Sequence, residues 1–567
     1  MARRIRWQIL IATVTAALVF GLMAYLALTT AAVAKPLEGG VFVEYETSTP
    51  RQLNPLLSTP ISDPVAADLR ALLFDGLMRI GPESLPEPAL LQSRPELDET
   101  GTVYTFTLRS GVRWHDGEPL TVDDVLFTLR AVQSPGFVGD PQTGGIWRNV
   151  LLERIDQFSF RATLQTPLAS FLSYATFPIL PAHLLGDLAP EQWASTAYNL
   201  QPIGTGPYRL ASPISGQNAL LKANGAYFDG RPFLDSIEFR FDQNQQDALT
   251  AISRSEAVGF GLNSTNEQSR ANTPRGAIRH AIPLAAYTTL TFNTRTAPLS
   301  DLGLRRALAL GTDRDAVIAQ ALGSAGQRLD TPLLPGWWAS DPTTTPALTD
   351  ATAAGEALTS LGYDVGADGV RVRDGQTLAL VILTDDAADH VAAASAIAAQ
   401  WGALGIQTTV EQVEAAVLEQ RLRDHDFAVA LHGWQRQGPD PDVLYALWHS
   451  SGVEDGFNYA GIQDLEIDDQ LTIGRESNDL EARQAAYRAF ERRWVELAPG
   501  VTLYQPLYLY TTLGDLGGVQ LDPEQSAGDI TSFIRPLLLG REERFRNIVG
   551  WYLRSGREIQ GDLRQAP

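Results

Sequence analysis

Hydrophobic and polar positions alternate along several short stretches of this chain, which is the pattern of strands with one buried face. In Val103–Arg109, the residues Tyr104, Phe106 and Leu108 share one face, and Ser236–Asp242 repeats the same alternation. Between such stretches, apolar residues recur at helical spacing. The alternation of strand and helix patterns along most of the chain predicts an α/β fold.

Two helix starts are marked by capping residues. Thr121 and Asp124 form a T-x-x-D capping box, and Asn478 with Glu481 is expected to cap a second helix that Pro499 terminates. The apolar stripe of that second helix consists of Tyr487, Phe490, Trp494 and Leu497. An aromatic stripe at this spacing is typical of a core face rather than of a ligand site.

The N-terminus has the features of a targeting segment. Arg3, Arg4 and Arg6 precede an uncharged, largely apolar stretch from Gln8 to Ala34. Such a segment is either a signal peptide, cleaved here after Ala32-Val33-Ala34, or a single membrane anchor formed by residues 8–34. Both alternatives place the remainder of the chain outside the cytoplasm.

Composition and charge exclude several classes of function. The 567 residues include 44 basic and 66 acidic side chains, a net charge of −22, so a nucleic-acid backbone would be repelled. Lys35 and Lys222 are the only lysines and neither belongs to a GxxxxGK[ST] motif, so ATP hydrolysis must belong to a partner. Cysteine is absent, which excludes disulfides, thiolate nucleophiles and cysteine-ligated zinc.

The motifs of common enzyme classes are also missing. The chain contains neither a G-x-S-x-G elbow nor an H-E-x-x-H helix. The segment Gly204–Arg209 begins like a dinucleotide-binding loop, but it has Arg209 in place of the third glycine, and Pro207 interrupts the turn. We therefore expect no catalytic residues and no cofactor.

Three histidines of the sequence are candidate metal ligands. His425, His432 and His449 lie near Asp424 and Asp426, but their spacings of seven and seventeen residues place no two of them on one helical face. The pattern favours structural histidines, and we expect no bound metal.

A series of motifs, in order, resembles the family 5 extracellular solute-binding proteins of ABC importers, which include peptide, dipeptide and nickel binders. The most diagnostic stretch is Leu108–Gly117 with Leu120–Val125. The other matching segments are Leu73–Leu77, Pro202–Tyr208, Phe292–Thr294, Leu304–Leu308, Asp313-Arg314, Gly433-Trp434 and Asp440-Pro441. The resemblance covers nearly the whole chain after the leader.

The resemblance implies a two-lobed α/β fold of the type II periplasmic-binding-protein class, with an extra subdomain inserted in lobe I and an N-terminal signal or anchor helix. Strand crossovers between the lobes would act as the hinge. The expected boundaries are 1–36 for the leader, 37–70, 203–285 and 506–567 for lobe I, 71–202 for the inserted subdomain and 286–505 for lobe II.

The ligand is less well defined than the fold. Peptide-binding members of the family hold the ligand ammonium with an Asp that aligns here with Gln437, and dipeptide binders hold the carboxylate with an Arg where this chain has Thr384-Asp385-Asp386. Both charge clamps are missing, which argues against ordinary dipeptides. Asp440 is either a substitute for the missing acid or a turn residue.

The candidate ligand-binding residues are Trp434, Arg436, Gln437, Asp440, Trp337 and Trp338. The three tryptophans either form an aromatic wall on which a ligand stacks or belong to the hydrophobic core.

The sequence therefore predicts a monomeric, extracytoplasmic binding subunit, in a periplasm or at a cell surface. It would capture a small polar solute, with peptide-like ones favoured, and deliver it to separate ABC permease subunits that work with cytoplasmic ATPase subunits. Contact with the membrane would occur through the N-terminal segment if it is not cleaved. Two alternatives stay open, a secreted hydrolase of unknown type and a membrane-anchored sensor with the same fold.

Overall fold

The computed structural model describes residues 2–559 except 31, 60–61, 82–83, 189, 215, 264–274, 324–325, 347, 436–439, 515, 520, 523–531 and 535–539. Its helices are α1 (Ala2–Thr30), α2 (Pro64–Leu73), α3 (Val122–Gln133), α4 (Pro141–Trp147), α5 (Ala182–Leu185), α6 (Gln245–Ser253), α7 (Leu302–Leu310), α8 (Arg314–Ala321), α9 (Ala351–Ser360), α10 (Ala388–Ala403), α11 (Ala415–Arg423), α12 (Val443–Trp448), α13 (Gly452–Asp455), α14 (Leu465–Glu476) and α15 (Leu480–Leu497). Short 3-10 helices cover Phe171–Ala175, Pro190–Ser195, Ala197–Leu200, Arg541–Phe545 and Ile548–Gly550.

The strands of the first half of the chain are β1 (Ala32–Leu37), β2 (Val41–Tyr45), β3 (Met78–Ile80), β4 (Pro86–Pro88), β5 (Glu96–Leu97), β6 (Val103–Thr107), β7 (Leu151–Arg154), β8 (Ser159–Thr163), β9 (Tyr208–Leu210), β10 (Asn218–Ala223), β11 (Ser236–Arg240), β12 (Gly259–Asn263) and β13 (Ala277–Pro283). Those of the second half are β14 (Ala286–Phe292), β15 (Gly326–Arg328), β16 (Asp364–Val365), β17 (Arg371–Arg373), β18 (Gln376–Thr377), β19 (Ala379–Thr384), β20 (Gln407–Gln412), β21 (Val429–Gln435), β22 (Gly500–Leu513), β23 (Leu521–Asp522), β24 (Ser532–Ile534) and β25 (Arg554–Ile559).

One sheet of the described residues joins 14 strands and runs through both lobes, with the order β20-β19-β21-β14-β22-β12-β2-β11-β10-β9 along its main path. The long strand β22 connects the two halves, because Gly500–Tyr504 pairs with β14 and Leu507–Leu513 pairs with β13. The chain crosses a second time between Pro283 and Ala286, where β13 passes into β14. These two crossings place the hinge, and the predicted two-lobed α/β fold is confirmed.

The inserted subdomain has its own four-stranded sheet, in the order β5-β6-β8-β7. The alternation expected for Val103–Arg109 is present, since Tyr104, Phe106 and Leu108 are all buried. Helix α3 begins with the expected capping box, in which Thr121 and Asp124 satisfy each other's backbone N–H groups. The subdomain packs into the same core as lobe I.

Lobe II has its own core. Trp401 and Phe292 pack between the sheet and helix α10, and the aromatic face of α15 contributes to a neighbouring cluster. The cap of α15 was predicted one residue early, because Asp479 accepts the hydrogen bond from the Glu481 N–H. The side chain of Asn478 instead lies against Gly101 of the inserted subdomain.

The Gly204-Thr205-Gly206 motif has a structural explanation. The Gly206 N–H donates to the Leu73 carbonyl at 3.0 Å, and a Cβ on Gly206 would lie 2.5 Å from the carbonyl carbon of Leu73. Glycine is required here because two backbone segments touch. The motif therefore packs its backbone directly against the C-terminal end of α2.

Strand β1, near the N-terminus, pairs antiparallel with strand β25, near the C-terminus. Within the part of the chain that the structure describes, no helix combines the length and the apolar character that a membrane crossing needs. Cleavage of the leader and its retention as an anchor both stay predictions.

Candidate ligand cleft

A cavity of about 810 Å³ lies on the lobe I side of the strand crossing at Leu284–Ala286, within the range of roughly 300–1,000 Å³ that is usual for small-molecule sites. Its walls come from lobe I, from the inserted subdomain and from the C-terminal segment Gly540–Gly550. Leu284–Ala286, where the chain crosses between the lobes, and Gln435 at the end of β21 complete it. Of its described residues, lobe II therefore contributes only Ala286 and Gln435, at the ends of β14 and β21, to the lining of this cavity.

The C-terminal wall is fixed by buried ion pairs. The guanidinium of Arg544, which is fully buried, binds Asp68 at 2.6 Å and Glu44 at 2.9 Å. Arg541 binds Asp68 at 2.6 Å and Glu46 at 2.9 Å. These pairs attach the 3-10 turn Arg541–Phe545 to β2 and α2, because an unpaired charge at this depth would be strongly destabilising.

The carboxylates of this cluster differ in protonation. Burial raises the pKa of Glu46 to about 8 even though Arg541 opposes the shift. Burial would also raise the pKa of Asp68, but Arg541 and Arg544 outweigh it and hold that pKa below its usual value. The two arginines therefore favour the ionised form of Asp68, whereas burial raises the pKa of both Glu44 and Glu46.

The inserted subdomain contributes a second carboxylate wall. Asp75 accepts hydrogen bonds from the hydroxyls of Tyr227 at 2.9 Å and Thr205 at 3.0 Å, and burial raises its pKa to about 6. Arg79 beside it is already neutralised, because it binds Glu87 and Asp229, each at 2.8 Å. Asp75 thus has only neutral donors among the described residues.

The inserted subdomain also contacts lobe II. The Ser84 hydroxyl of the inserted subdomain donates to the Gly336 carbonyl of lobe II at 3.0 Å. The Ala169 N–H donates to the Arg475 carbonyl at 2.9 Å. Both hydrogen bonds join the inserted subdomain to lobe II.

The predicted tryptophans lie in lobe II, outside the cavity lining. Trp337 is 2% exposed within the aromatic core, and Trp338 packs edge-on against Tyr487 with Arg483 over its face. Trp434 stacks on Tyr459 at 5.4 Å, one residue before the lining residue Gln435. Trp337 is therefore a core residue in this structure. A ligand contact by any of the three tryptophans stays a prediction.

The remaining predicted residues divide in two groups. Arg436 and Gln437 lie outside the described residues. Asp440 is buried, accepts the Asp442 N–H at 2.9 Å and binds Arg483 at 2.7 Å. It therefore has the local turn bond that the sequence suggested, together with a cation supplied by lobe II itself.

The candidate metal ligands lie in separate hydrogen-bonding environments. The ring nitrogens of His425 lie 3.0 and 2.8 Å from the Tyr459 and Val453 carbonyls, and His432 contacts Thr291 at 2.9 Å. Burial lowers the pKa of His432 to about 3, so it is neutral. The described residues contain no group of three or more side chains suited to a metal ion.

Sequence reasoning missed the C-terminal wall. Arg541–Arg546 contains charges of both signs in the order R-E-E-R-F-R, a composition more typical of a solvated surface. Only the fold brings it against Glu44, Glu46 and Asp68, nearly 500 residues earlier in the chain, since Arg544 and Glu44 are 500 residues apart. No local signal could have identified this partnership.

Comparisons with known proteins agree with this architecture. A family model described as bacterial extracellular solute-binding proteins, family 5 middle, matches residues 86–455. Protein XP55 of Streptomyces lividans is 31% identical over 468 residues, covering 80% of this chain and 81% of the relative. Oligopeptide-binding protein AppA of Bacillus subtilis is 25% identical over 506 residues, covering 88% and 92%.

The solved structure of AppA from Bacillus subtilis, in complex with a nonapeptide, has the same fold. It superimposes with a TM-score of 0.64 at 23% identity, and the match covers 92% of this chain and all of that one (100%).

Proposed function

The chain belongs to the family 5 bacterial extracellular solute-binding proteins, and from this premise we propose that it is the extracytoplasmic substrate-binding subunit of an ABC importer for peptides or peptide-like solutes. The observation that carries the proposal is the cavity of about 810 Å³ at the hinge, lined from lobe I, from the inserted subdomain and from Ala286 and Gln435 on the lobe II side.

Lobe closure gives this geometry its function. A ligand that contacts both sides of the cleft binds the closed form more tightly than the open form. The difference between the two binding free energies shifts the equilibrium toward the closed form. A permease that recognises the closed form would then receive mainly loaded protein. ATP hydrolysis would be supplied by cytoplasmic ATPase subunits, since this chain contains no phosphate-binding loop motif.

Peptides are favoured as the solute class for two reasons. AppA, which aligns over most of both chains, is an oligopeptide-binding protein whose structure contains a nonapeptide. The cavity also presents both carboxylates and arginines to its guest, as recognition of a polar, charged solute requires. We propose capture without turnover, because the family is a solute-binding class.

Labelled protein tests the proposal directly. Because the chain has no cysteine, Leu151→Cys with Leu465→Cys places one exposed label on the inserted subdomain and one on lobe II. A bound peptide should shift the distance between these labels to a single short value. The control pair Leu465→Cys with Val365→Cys, both exposed and within lobe II, should not change.

Two further measurements complete the test. At a free peptide concentration of 100 times Kd, binding should stabilise the fold by about 2.7 kcal/mol, seen as a raised Tm. Mass spectrometry should recover the peptide intact after incubation. Recovery of cleaved peptide would instead support the hydrolase alternative, and absence of both binding and closure for every peptide would contradict the proposal.

A further inference from the structure

Apolar side chains form a large part of the cavity wall. Three of the larger ones, Phe137, Phe177 and Leu284, line the cavity and are only partly buried against the core of lobe I and the inserted subdomain. Part of their apolar surface therefore stays accessible to a guest. Accessible apolar surface in a concave site that also contains polar groups is typical of a ligand-binding groove.

Helix α4 of the inserted subdomain holds the two aromatic rings in place. A Cβ on Gly144 of this helix would lie 2.8 Å from Cδ1 of Phe137, and Gly139 just before the helix also contacts this ring. Glycine at both positions leaves the space that the ring occupies. Phe177 packs edge-on against Trp147, the last residue of α4, with the ring centroids 6.1 Å apart. Phe137 and Phe177, here called the aromatic wall, are thus positioned before a guest binds, which keeps the cost of ordering them low.

Most ionisable groups of the lining are compensated within the protein. Arg79 and Arg541 each bind two carboxylates. Asp75 accepts hydrogen bonds from two hydroxyls. Asp140 caps α4, where it accepts the Thr143 N–H at 2.8 Å. These groups therefore have partners without a guest.

The C-terminal wall and α2 add charges of both signs to the lining. Glu542 attracts Arg70, and Glu543 attracts Arg546. Two cations and two carboxyl groups in one wall do not favour a guest of a single sign, but they suit a peptide, which carries both an ammonium and a carboxylate. The part of the lining that can distinguish one peptide from another is therefore its apolar surface.

We propose that the cleft selects peptide-like solutes that carry a nonpolar side chain, and that Phe137 and Phe177 form the subsite that binds this side chain. This inference rests on the proposed function and specifies its substrate class. The polar and charged groups of the lining contact the backbone and the termini of the guest. The aromatic wall removes the apolar surface of its side chain from water.

Four tripeptides test the inference on the full chain by isothermal titration at pH 7.5: Ala-Leu-Ala, Ala-Asn-Ala, Ala-Lys-Ala and Ala-Glu-Ala. Asparagine matches leucine closely in shape but is polar. The leucine peptide should bind at least about tenfold more tightly than the asparagine peptide, which is the effect of burying one leucine side chain. The lysine and glutamate peptides should bind more weakly than the leucine peptide and within about threefold of each other.

Variants of the aromatic wall locate the effect. In the double variant Phe137→Ala, Phe177→Ala, the preference for leucine over asparagine should fall to about threefold or less. The conservative double variant Phe137→Leu, Phe177→Leu keeps apolar side chains at both positions and should retain most of the preference. Phe158→Ala is the matched control, because Phe158 is a partly buried ring of the same subdomain that does not line the cavity. It should leave the preference unchanged.

The heat capacity change of binding provides a second readout on the unmodified chain. Burial of apolar surface makes this change negative, so it should be more negative for the leucine peptide than for the asparagine peptide. Equal affinity for these two peptides, or tightest binding of the lysine or glutamate peptide, would overturn this inference alone. A preference that survives in the double alanine variant would overturn the assignment of the subsite to the aromatic wall. Failure of every peptide to bind would overturn the proposed function with it.

Discussion

Replacement of Arg544 by methionine tests the physical basis of the C-terminal wall. Methionine retains much of the volume of the arginine stem but removes the charge that Glu44 and Asp68 bind at 2.9 and 2.6 Å. Arg541 would then be left to compensate three carboxylates, all with side chains at most 2% exposed. Breaking a buried ion pair on one side typically costs about 3–5 kcal/mol.

We therefore expect Arg544→Met to lower the free energy of unfolding by about 3–5 kcal/mol, a large part of the roughly 5–15 kcal/mol that is typical of a domain. Urea denaturation followed by tryptophan fluorescence measures this loss. Arg493→Met is the matched control, because Arg493 also has three carboxylate partners, at 2.8, 3.0 and 3.4 Å, but its side chain is 30% exposed. Its removal should cost about 1 kcal/mol or less.

The dependence on pH separates charge from packing. Without Arg544, the pKa values of Glu44, Glu46 and Asp68 should rise in the folded protein, so folding takes up protons and the variant loses stability as pH increases. The deficit relative to the unmodified protein should accordingly be smaller at pH 5 than at pH 8. A loss no greater than that of Arg493→Met, or a deficit that is the same at both values of pH, would refute the reasoning.

Two further substitutions test neighbouring contacts. Ser84→Ala removes the hydroxyl that donates to the Gly336 carbonyl between the inserted subdomain and lobe II, and one such hydrogen bond is worth about 0.5–1.5 kcal/mol. If this bond forms only in the closed state, ligand release should accelerate roughly two- to tenfold in a stopped-flow displacement assay. An unchanged release rate would mean that this bridge does not stabilise the closed form. Tyr510→Phe removes the hydroxyl that donates to Glu44 at 2.7 Å, and urea unfolding should show a loss of about 0.5–1.5 kcal/mol, the usual contribution of one hydrogen bond. A stability within a few tenths of a kcal/mol of the unmodified protein would contradict this expectation.

Much of the fold could be predicted because its signals are local. Alternation along Val103–Arg109 depends only on the two-residue repeat of a strand, and the Thr121 capping box depends on four consecutive residues. The ordered family motifs added the two-lobed arrangement. The cap of α15 was displaced by one residue because Asn478 faces the inserted subdomain, a contact that the local sequence does not specify.

The candidate site was harder to predict, because a binding site is formed by side chains that are distant in the sequence and meet only in the folded protein. Trp337 is of a residue type that often stacks on ligands. In this protein it packs in the core of lobe II, among other buried aromatic side chains. Glu542 and Glu543 resemble ordinary surface charges in the sequence. They line the cavity only because the tertiary fold places the turn that carries them against it.

The sequence by itself determined the class of this protein: an α/β solute-binding chain with no phosphate-binding loop, no cysteine and an excess of acid. Those properties follow from composition, short-range periodicity and ordered motifs, which do not depend on how distant segments meet. The tertiary structure alone decided which charges are paired inside the protein. Arg544 is satisfied by Glu44 from near the other end of the chain, because pairing depends on distances in space and not on positions in the sequence.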